Sequence, residues 1–338
     1  MGDENYESQL YLIDVRLLFE PAPRQLPDSI RAQIEATGNH HLKENGLQGI
    51  YNFLHEYCMT MKITTLLRQT EDMLGGRWTE NLRVQLIKRT LTLQYWPQKG
   101  IPERPGPGQR NDVPKSWIEV GPRRGIGQGP SWVGVRWMRE NKQVTDVEVP
   151  VDASNLSAET LMKTVVAMHS NYILENIKNK VALSIGPSNS RQLALKMHPT
   201  DSFESYLEFQ LTPSHKSRLL IEPITGRFAL RPQTHLTIQA ETQMNMAPHI
   251  AHETLIRLKF LATQEEVSEA AKSTGWEIAR TLSIKKEELK QYFPSTTRYM
   301  LYLRRKGWSK NWMVTFVLEE QQCSWWITEM CASPFRSV

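Results

Sequence analysis

The sequence predicts an α+β fold in two modules, each an antiparallel sheet packed with long amphipathic helices. Three observations predict it. Short runs alternate apolar and polar residues with a period of two, long runs repeat apolar residues at helical spacing, and the order of elements begins again past residue 185. The expected modules are residues 1–185 and 186–338.

In the first module, Tyr11, Ile13, Val15, Leu17 and Phe19 alternate with their neighbours and predict a strand that stops at Pro21-Ala22-Pro23. Asp28 or Ser29 can cap a short helix carrying Ile30 and Ile34, and Asn45-Gly46 breaks the chain before the next element. A helix over residues 47–74 follows from Ile50, Phe53, Leu54 and Tyr57, then Ile63, Leu66, Leu67 and Leu74; Gly75-Gly76 ends it. Leu82, Val84 and Leu86 answer Leu91, Leu93 and Tyr95 across a turn at Lys88-Arg89, the pattern of a hairpin without Asn-Gly or Asp-Gly. Residues 97–114 are a Pro/Gly-rich loop. Strands are expected at 117–120, 133–138 and 144–149, and a long helix over 157–183.

In the second module, strands are expected at 193–197, 206–211, 218–222 and 227–230, with Pro223-Ile224-Thr225-Gly226 as a turn. Helices are expected over 247–261, 264–274 and, as a short one, 285–292. Strands at 298–304, 313–318 and 324–328 finish the module.

Composition bounds the function. The chain has 338 residues, of which 40% are hydrophobic, enough to bury a core. Its 41 Lys and Arg against 36 Asp and Glu permit an acidic or nucleic-acid partner without demanding one. Cys58, Cys323 and Cys331 are few, odd in number and far apart, as in a reducing compartment. No apolar run approaches the ~18 residues of a membrane span, so no membrane partner is expected. The opening Met1-Gly2-Asp3-Glu4-Asn5-Tyr6 reads neither as a signal peptide nor, with Tyr6, as a myristoylation site; the sequon at Asn155 then reads as chance.

Catalytic patterns find little support. Gly125-Ile126-Gly127-Gln128-Gly129-Pro130 has Pro where a dinucleotide fingerprint needs Gly, and a strand follows where a helix is required. His249-Ile250-Ala251-His252-Glu253 matches neither zinc-protease order and lacks a third ligand nearby. Cys58 reads as a core residue. No enzyme activity, cofactor or metal is expected.

The run Tyr299, Tyr302, Arg304, Arg305, Lys306, Trp308, Lys310 and Trp312 joins cations to aromatics, as single-stranded nucleic-acid sites do. A solvated turn between two strands explains it as well, so a nucleic-acid-binding module is the alternative reading. Trp325-Trp326 places neighbouring indoles on opposite faces of a strand, and an exposed Trp is a favoured protein-interface anchor.

Several stretches carry a resemblance. Arg77-Trp78-Thr79-Glu80-Asn81-Leu82-Arg83-Val84 and Arg89-Thr90-Leu91-Thr92-Leu93-Gln94-Tyr95-Trp96 resemble the fungal Mediator subunit 14 family. So do Leu12-Ile13-Asp14-Val15-Arg16-Leu17-Leu18-Phe19, Ile221-Glu222-Pro223-Ile224-Thr225-Gly226-Arg227-Phe228, Arg305-Lys306-Gly307-Trp308 and Ser324-Trp325-Trp326-Ile327. The resemblance implies a nuclear, non-enzymatic scaffold of repeated α+β modules. Its partners would be head, middle and tail subunits of Mediator and, indirectly, RNA polymerase II; direct nucleic-acid contact is not expected. The family's chains are far longer, so this sequence reads as a fragment lacking an N-terminal helical region and part of the C-terminal portion. The candidate partner-binding residues are Trp308, Trp312, Trp325 and Trp326, with Arg304 and Arg305 beside them.

Overall fold

A computed structural model describes residues 10–22, 25–97, 114–124, 130–186, 193–279, 297–309, 311–319, 323–329 and 336–337. The expected 97–114 loop lies almost wholly outside these residues, and the Gly-rich loop 125–129, the helix at 285–292 and Cys331 lie outside them entirely. Among the described residues the fold is α+β with three antiparallel sheets and four α-helices. The chain divides into two compact units, the break falling between Val165 and Val166.

The first unit begins its regular structure with α1 (Asp28–Leu74), one helical run broken at Gly46, whose φ of 61° and ψ of −155° are not helical. Met59, Ile63, Leu66 and Thr70 lie one helical face apart and are all buried. That face packs on a five-stranded meander. Its strands, in spatial as in chain order, are β1 (Leu82–Ile87), β2 (Thr90–Tyr95), β3 (Ser116–Arg123), β4 (Trp132–Arg139) and β5 (Lys142–Gln143). Leu93, Ile118 and Trp137 align across β2, β3 and β4 in one buried row, and the Trp137 indole N–H donates to Tyr95 Oη at 2.8 Å.

The β1–β2 hairpin turns at Lys88, with φ of 56°. A lysine there pays the left-handed strain that Asn or Gly would avoid, and the next residue is held from outside. Arg89 donates to the Glu56 carboxylate and, at 2.9 Å, to the Glu56 carbonyl. The β4–β5 turn uses Glu140 and Asn141, both at positive φ, the geometry of a two-residue hairpin loop.

Helix α2 (Ala158–Ile185) spans the break between the units, as the spacing predicted to within two residues. The second unit holds two sheets. The first is β6 (Leu193–Lys196), β7 (Tyr206–Gln210), β8 (Lys216–Ile221) and β9 (Phe228–Arg231), a meander whose Leu207, Leu219 and Leu230 align and are fully buried. Helix α3 (His235–Met246) closes the outer edge of β9 with side chains instead of a strand. Asn245 accepts from the Phe228 N–H at 2.8 Å and donates to its carbonyl at 3.0 Å, and Glu241 accepts from the Leu230 N–H at 2.5 Å. Helix α4 (Ala251–Ser273) then leads into the last sheet: β10 (Trp276–Ala279), β11 (Thr297–Arg305), β12 (Trp312–Glu319), β13 (Cys323–Glu329) and β14 (Arg336–Ser337). Among the described residues no helix is long and apolar enough to cross a membrane.

Four expectations are corrected. Residues 10–19 alternate as a strand would, yet among the described residues no strand pairs with them; side chains tie the segment down. Residues 144–149 form no strand either. The Val144 N–H still reaches the Trp137 carbonyl at 2.9 Å, but β5 has already ended and the chain leaves the sheet. The two helices expected at 247–261 and 264–274 are one helix, α4, because residues 262–263 contain no breaker and the Thr263 hydroxyl bonds back to Lys259 O as a helix interior allows. Helix α3 was not anticipated: its buried residues are Thr237, Ala240 and Met244, too small and polar to make a visible stripe.

Candidate partner-binding face

The last sheet carries all the candidate binding residues, and register assigns each to a face. Leu303 pairs with Val314 and Leu301 with Phe316; Val314 pairs with Ile327 and Phe316 with Trp325. Strand alternation therefore puts Leu301, Leu303, Val314, Phe316, Trp325 and Ile327 on one face. Helix α4 covers part of that face. Its Val267 and Ala271, one turn apart, pack with Phe260 onto a core of Leu301, Leu303, Phe316 and Leu318.

The cover runs out toward β13, since α4 rests on β10 and β11. Phe316 is sealed at 2% exposure, while Trp325, whose ring lies 4.7 Å from it, is 56% exposed and Ile327 58%. The apolar face of the core thus continues into solvent as a shelf. By the same alternation Trp312, half-buried, lies on the shelf side. At the far end, the Trp276 indole on this face meets Trp308 edge-on at 5.4 Å, and Trp308 is itself partly exposed. The turn beneath is held by the Trp308 N–H donating to Arg305 O at 3.1 Å, with Gly307 at φ 94°, a conformation suited to Gly.

The cations divide. Arg305 pairs in register with Trp276 and shares the shelf face, exposed. Arg304 lies on the opposite face and forms an ion pair with Glu277 at 3.1 Å. Trp326 is also on that opposite face, its indole N–H donating to Ser324 Oγ at 2.9 Å. The structure therefore puts Trp308, Trp312, Trp325 and Arg305 on one side of the sheet, and Trp326 and Arg304 on the other. Sequence reasoning missed Trp276 and Ile327, which a prediction of β10 and its register would have found. Burial raises the Tyr299 and Tyr302 hydroxyl pKa values, so both rings serve the sheet's interior more than a solvent platform.

Two Ser–His contacts elsewhere have the wrong order for a nucleophile. His55 Nε2 lies 2.8 Å from Ser131 O and 3.0 Å from its hydroxyl. A carbonyl only accepts, so this nitrogen carries the proton and cannot take one from Ser131. At Ser214 the hydroxyl stands between His215 Nδ1 at 2.7 Å and Glu266 at 2.5 Å, leaving the acid on the serine instead of on the histidine. Among the described residues no cluster of three His, Cys, Asp or Glu could hold a metal ion.

Comparison with known proteins decides the family. The sequence profile of the fungal Med14 domain matches residues 187–267, which carry β6–β9, α3 and most of α4. Curated relatives match far more of the chain. A Neurospora crassa protein named Mediator of RNA polymerase II transcription subunit 14 is 30% identical over 351 residues, covering 98% of this chain. The chain belongs to the fungal Mediator subunit 14 family. Proteins of the same name from Pyricularia oryzae and Coccidioides immitis are 30% and 31% identical, over 98% and 96% of the chain. The chain spans 27%, 30% and 29% of the length of these three relatives. Of the stretches that resemble the Mediator subunit 14 family, only residues 221–228 fall inside the profile match; the Trp shelf lies outside it.

Proposed function

We propose that this chain is a non-catalytic scaffold subunit of Mediator, a nuclear transcription coregulator, bridging its head, middle and tail modules and supporting RNA polymerase II transcription indirectly. The relatives' shared name supports the assembly. The observation that carries the mechanism is the shelf of Trp308, Trp312, Trp325 and Ile327, an apolar sheet face left half open beside α4. Burying such a face against a partner removes aromatic surface from water, where Trp anchors contribute most. Arg305 on the same face supplies orientation, and Arg304 and Trp326 serve a second contact on the reverse side. The two modules, residues 1–185 and 186–338, each offer a platform.

The test is co-expression with the head, middle and tail subunits of Mediator from the same source, followed by purification at moderate salt. Stable co-purification that Trp325→Ala and Trp308→Ala weaken at least tenfold supports the reading. A folded chain that captures none of these subunits overturns it.

A further inference from the structure

Residues 10–19 have the side-chain pattern of a strand but no sheet. The segment is fixed at both ends. Near its start Asn39, on α1, uses its carboxamide as a single rung: it accepts from the Leu12 N–H at 2.7 Å and donates to Leu12 O at 3.4 Å. The Leu12 side chain occupies the space that a Cβ on Gly38 would take, 2.7 Å away. At its end Phe19 is buried with the Lys62 ammonium 5.5 Å from its ring, and Glu20 forms a parallel bridge to Asn155. From Asp14 to Phe19 exposure alternates: Val15 and Leu17 are half-buried and Phe19 buried, while Asp14, Arg16 and Leu18 are exposed, Leu18 by 92%; Ile13, of the same parity as Val15, is 84% exposed.

From Ile13 to Leu18 no backbone group pairs with another backbone group among the described residues; the one hydrogen bond made by a backbone group there is Val15 N–H to Asp14 Oδ1 at 2.9 Å. Elsewhere in the chain the same situation is closed. The outer edge of β9 is met by the Asn245 carboxamide, the counterpart of Asn39, and then by a second rung from Glu241. Here the second rung is missing. A row of unmet N–H and C=O groups with alternating apolar side chains is what an extended backbone satisfies, since only a strand offers donors and acceptors at that repeat. Asp14 and Arg16 neutralise each other at 3.3 Å, so the facing strand needs no charge.

We infer that residues 13–18 are a docking strand, completed by the open edge strand of a β-sheet in another Mediator subunit. The inference rests on the scaffold reading and names the kind of partner. The anchors at Leu12 and Phe19 reduce the ordering cost of pairing, and side chains of the added strand flank Ile13 on one face and Leu18 on the other.

Hydrogen exchange on this chain, free and in the complex assembled with the other Mediator subunits, tests it. The amides of residues 13–18 exchange rapidly in the free chain, and alternate ones slow at least tenfold in the complex. Arg16→Pro and Leu17→Pro each remove one N–H, and consecutive amides of a strand face opposite edges. One of the two should weaken assembly at least tenfold while Arg16→Ala and Leu17→Ala do not, with circular dichroism unchanged in all four. Equal exchange in the free and assembled chain overturns the inference and leaves the scaffold reading standing. Protection that grows with concentration of the chain alone makes the occupant a second copy and also overturns it. Failure to assemble at all removes the scaffold reading, and the inference with it.

Discussion

Gln69 holds the start of α2: its side-chain oxygen accepts from the Ala158 N–H at 2.7 Å, and its amide donates to Leu156 O at 3.0 Å. A residue 89 positions away thus does the work of a helix cap, because the first N–H groups of a helix have no partner within it. Gln69→Ala should destabilise the fold by about 1 kcal/mol, and Gln69→Glu by less, since the carboxylate can accept from Ala158 but cannot donate to Leu156. Urea denaturation of the three proteins measures the order.

Glu56 gives a pH dependence. Its hydrogen bond from Arg89 holds the carboxyl below its ordinary value of 4.5. A depressed folded pKa contributes stability above the unfolded pKa, and that contribution is lost as pH falls through the folded one. The difference between the parent and Glu56→Gln should be constant near neutrality and shrink below about pH 4. Both side chains are partly exposed, so its size should stay under about 1 kcal/mol. A gap that widens on acidification would contradict the assignment.

The shelf separates stability from binding. Phe316→Ala opens a cavity in the core of the last sheet and should cost about 3–5 kcal/mol. Trp325→Ala, half in solvent already, should cost well under half of that while still weakening capture of partner subunits. Thermal unfolding alongside co-purification reads both quantities in the same pair of variants.

Gly46 tests the break in α1. Nothing lies within 4 Å of a Cβ placed there, so space is not the constraint. Its φ of 61° with ψ of −155° is a region essentially closed to residues with a Cβ, so Gly46→Ala should destabilise by about 1–3 kcal/mol. Little change in the denaturation midpoint would mean that the backbone relaxes into a continuous helix.

The Trp137–Tyr95 hydrogen bond is buried at both ends. Tyr95→Phe removes the acceptor and leaves an indole N–H to find another, a loss of about 1–3 kcal/mol.

Much of this was present in the sequence because it is local. Period-two alternation marked the β1–β2 hairpin and strands β6, β7, β11 and β12, and helical spacing marked α2 and residues 47–74 of α1, since side-chain periodicity follows directly from backbone geometry. The α+β class followed, and family-specific stretches pointed to the Mediator subunit 14 family. Tertiary structure decided the rest. The alternation at 10–19 states which side chains share a face, but a strand also needs a neighbour, and none of the described residues supplies one. Alternation alone put Trp325 and Trp326 on opposite faces, but only the register with Phe316 and Thr315 decided that Trp325 takes the face of the α4-covered core. That α4 stops short of β13, leaving Trp325 in solvent beside a sealed Phe316, depends on where a helix distant in sequence comes to rest. Local spacing fixes a residue's face; only packing determines what covers it.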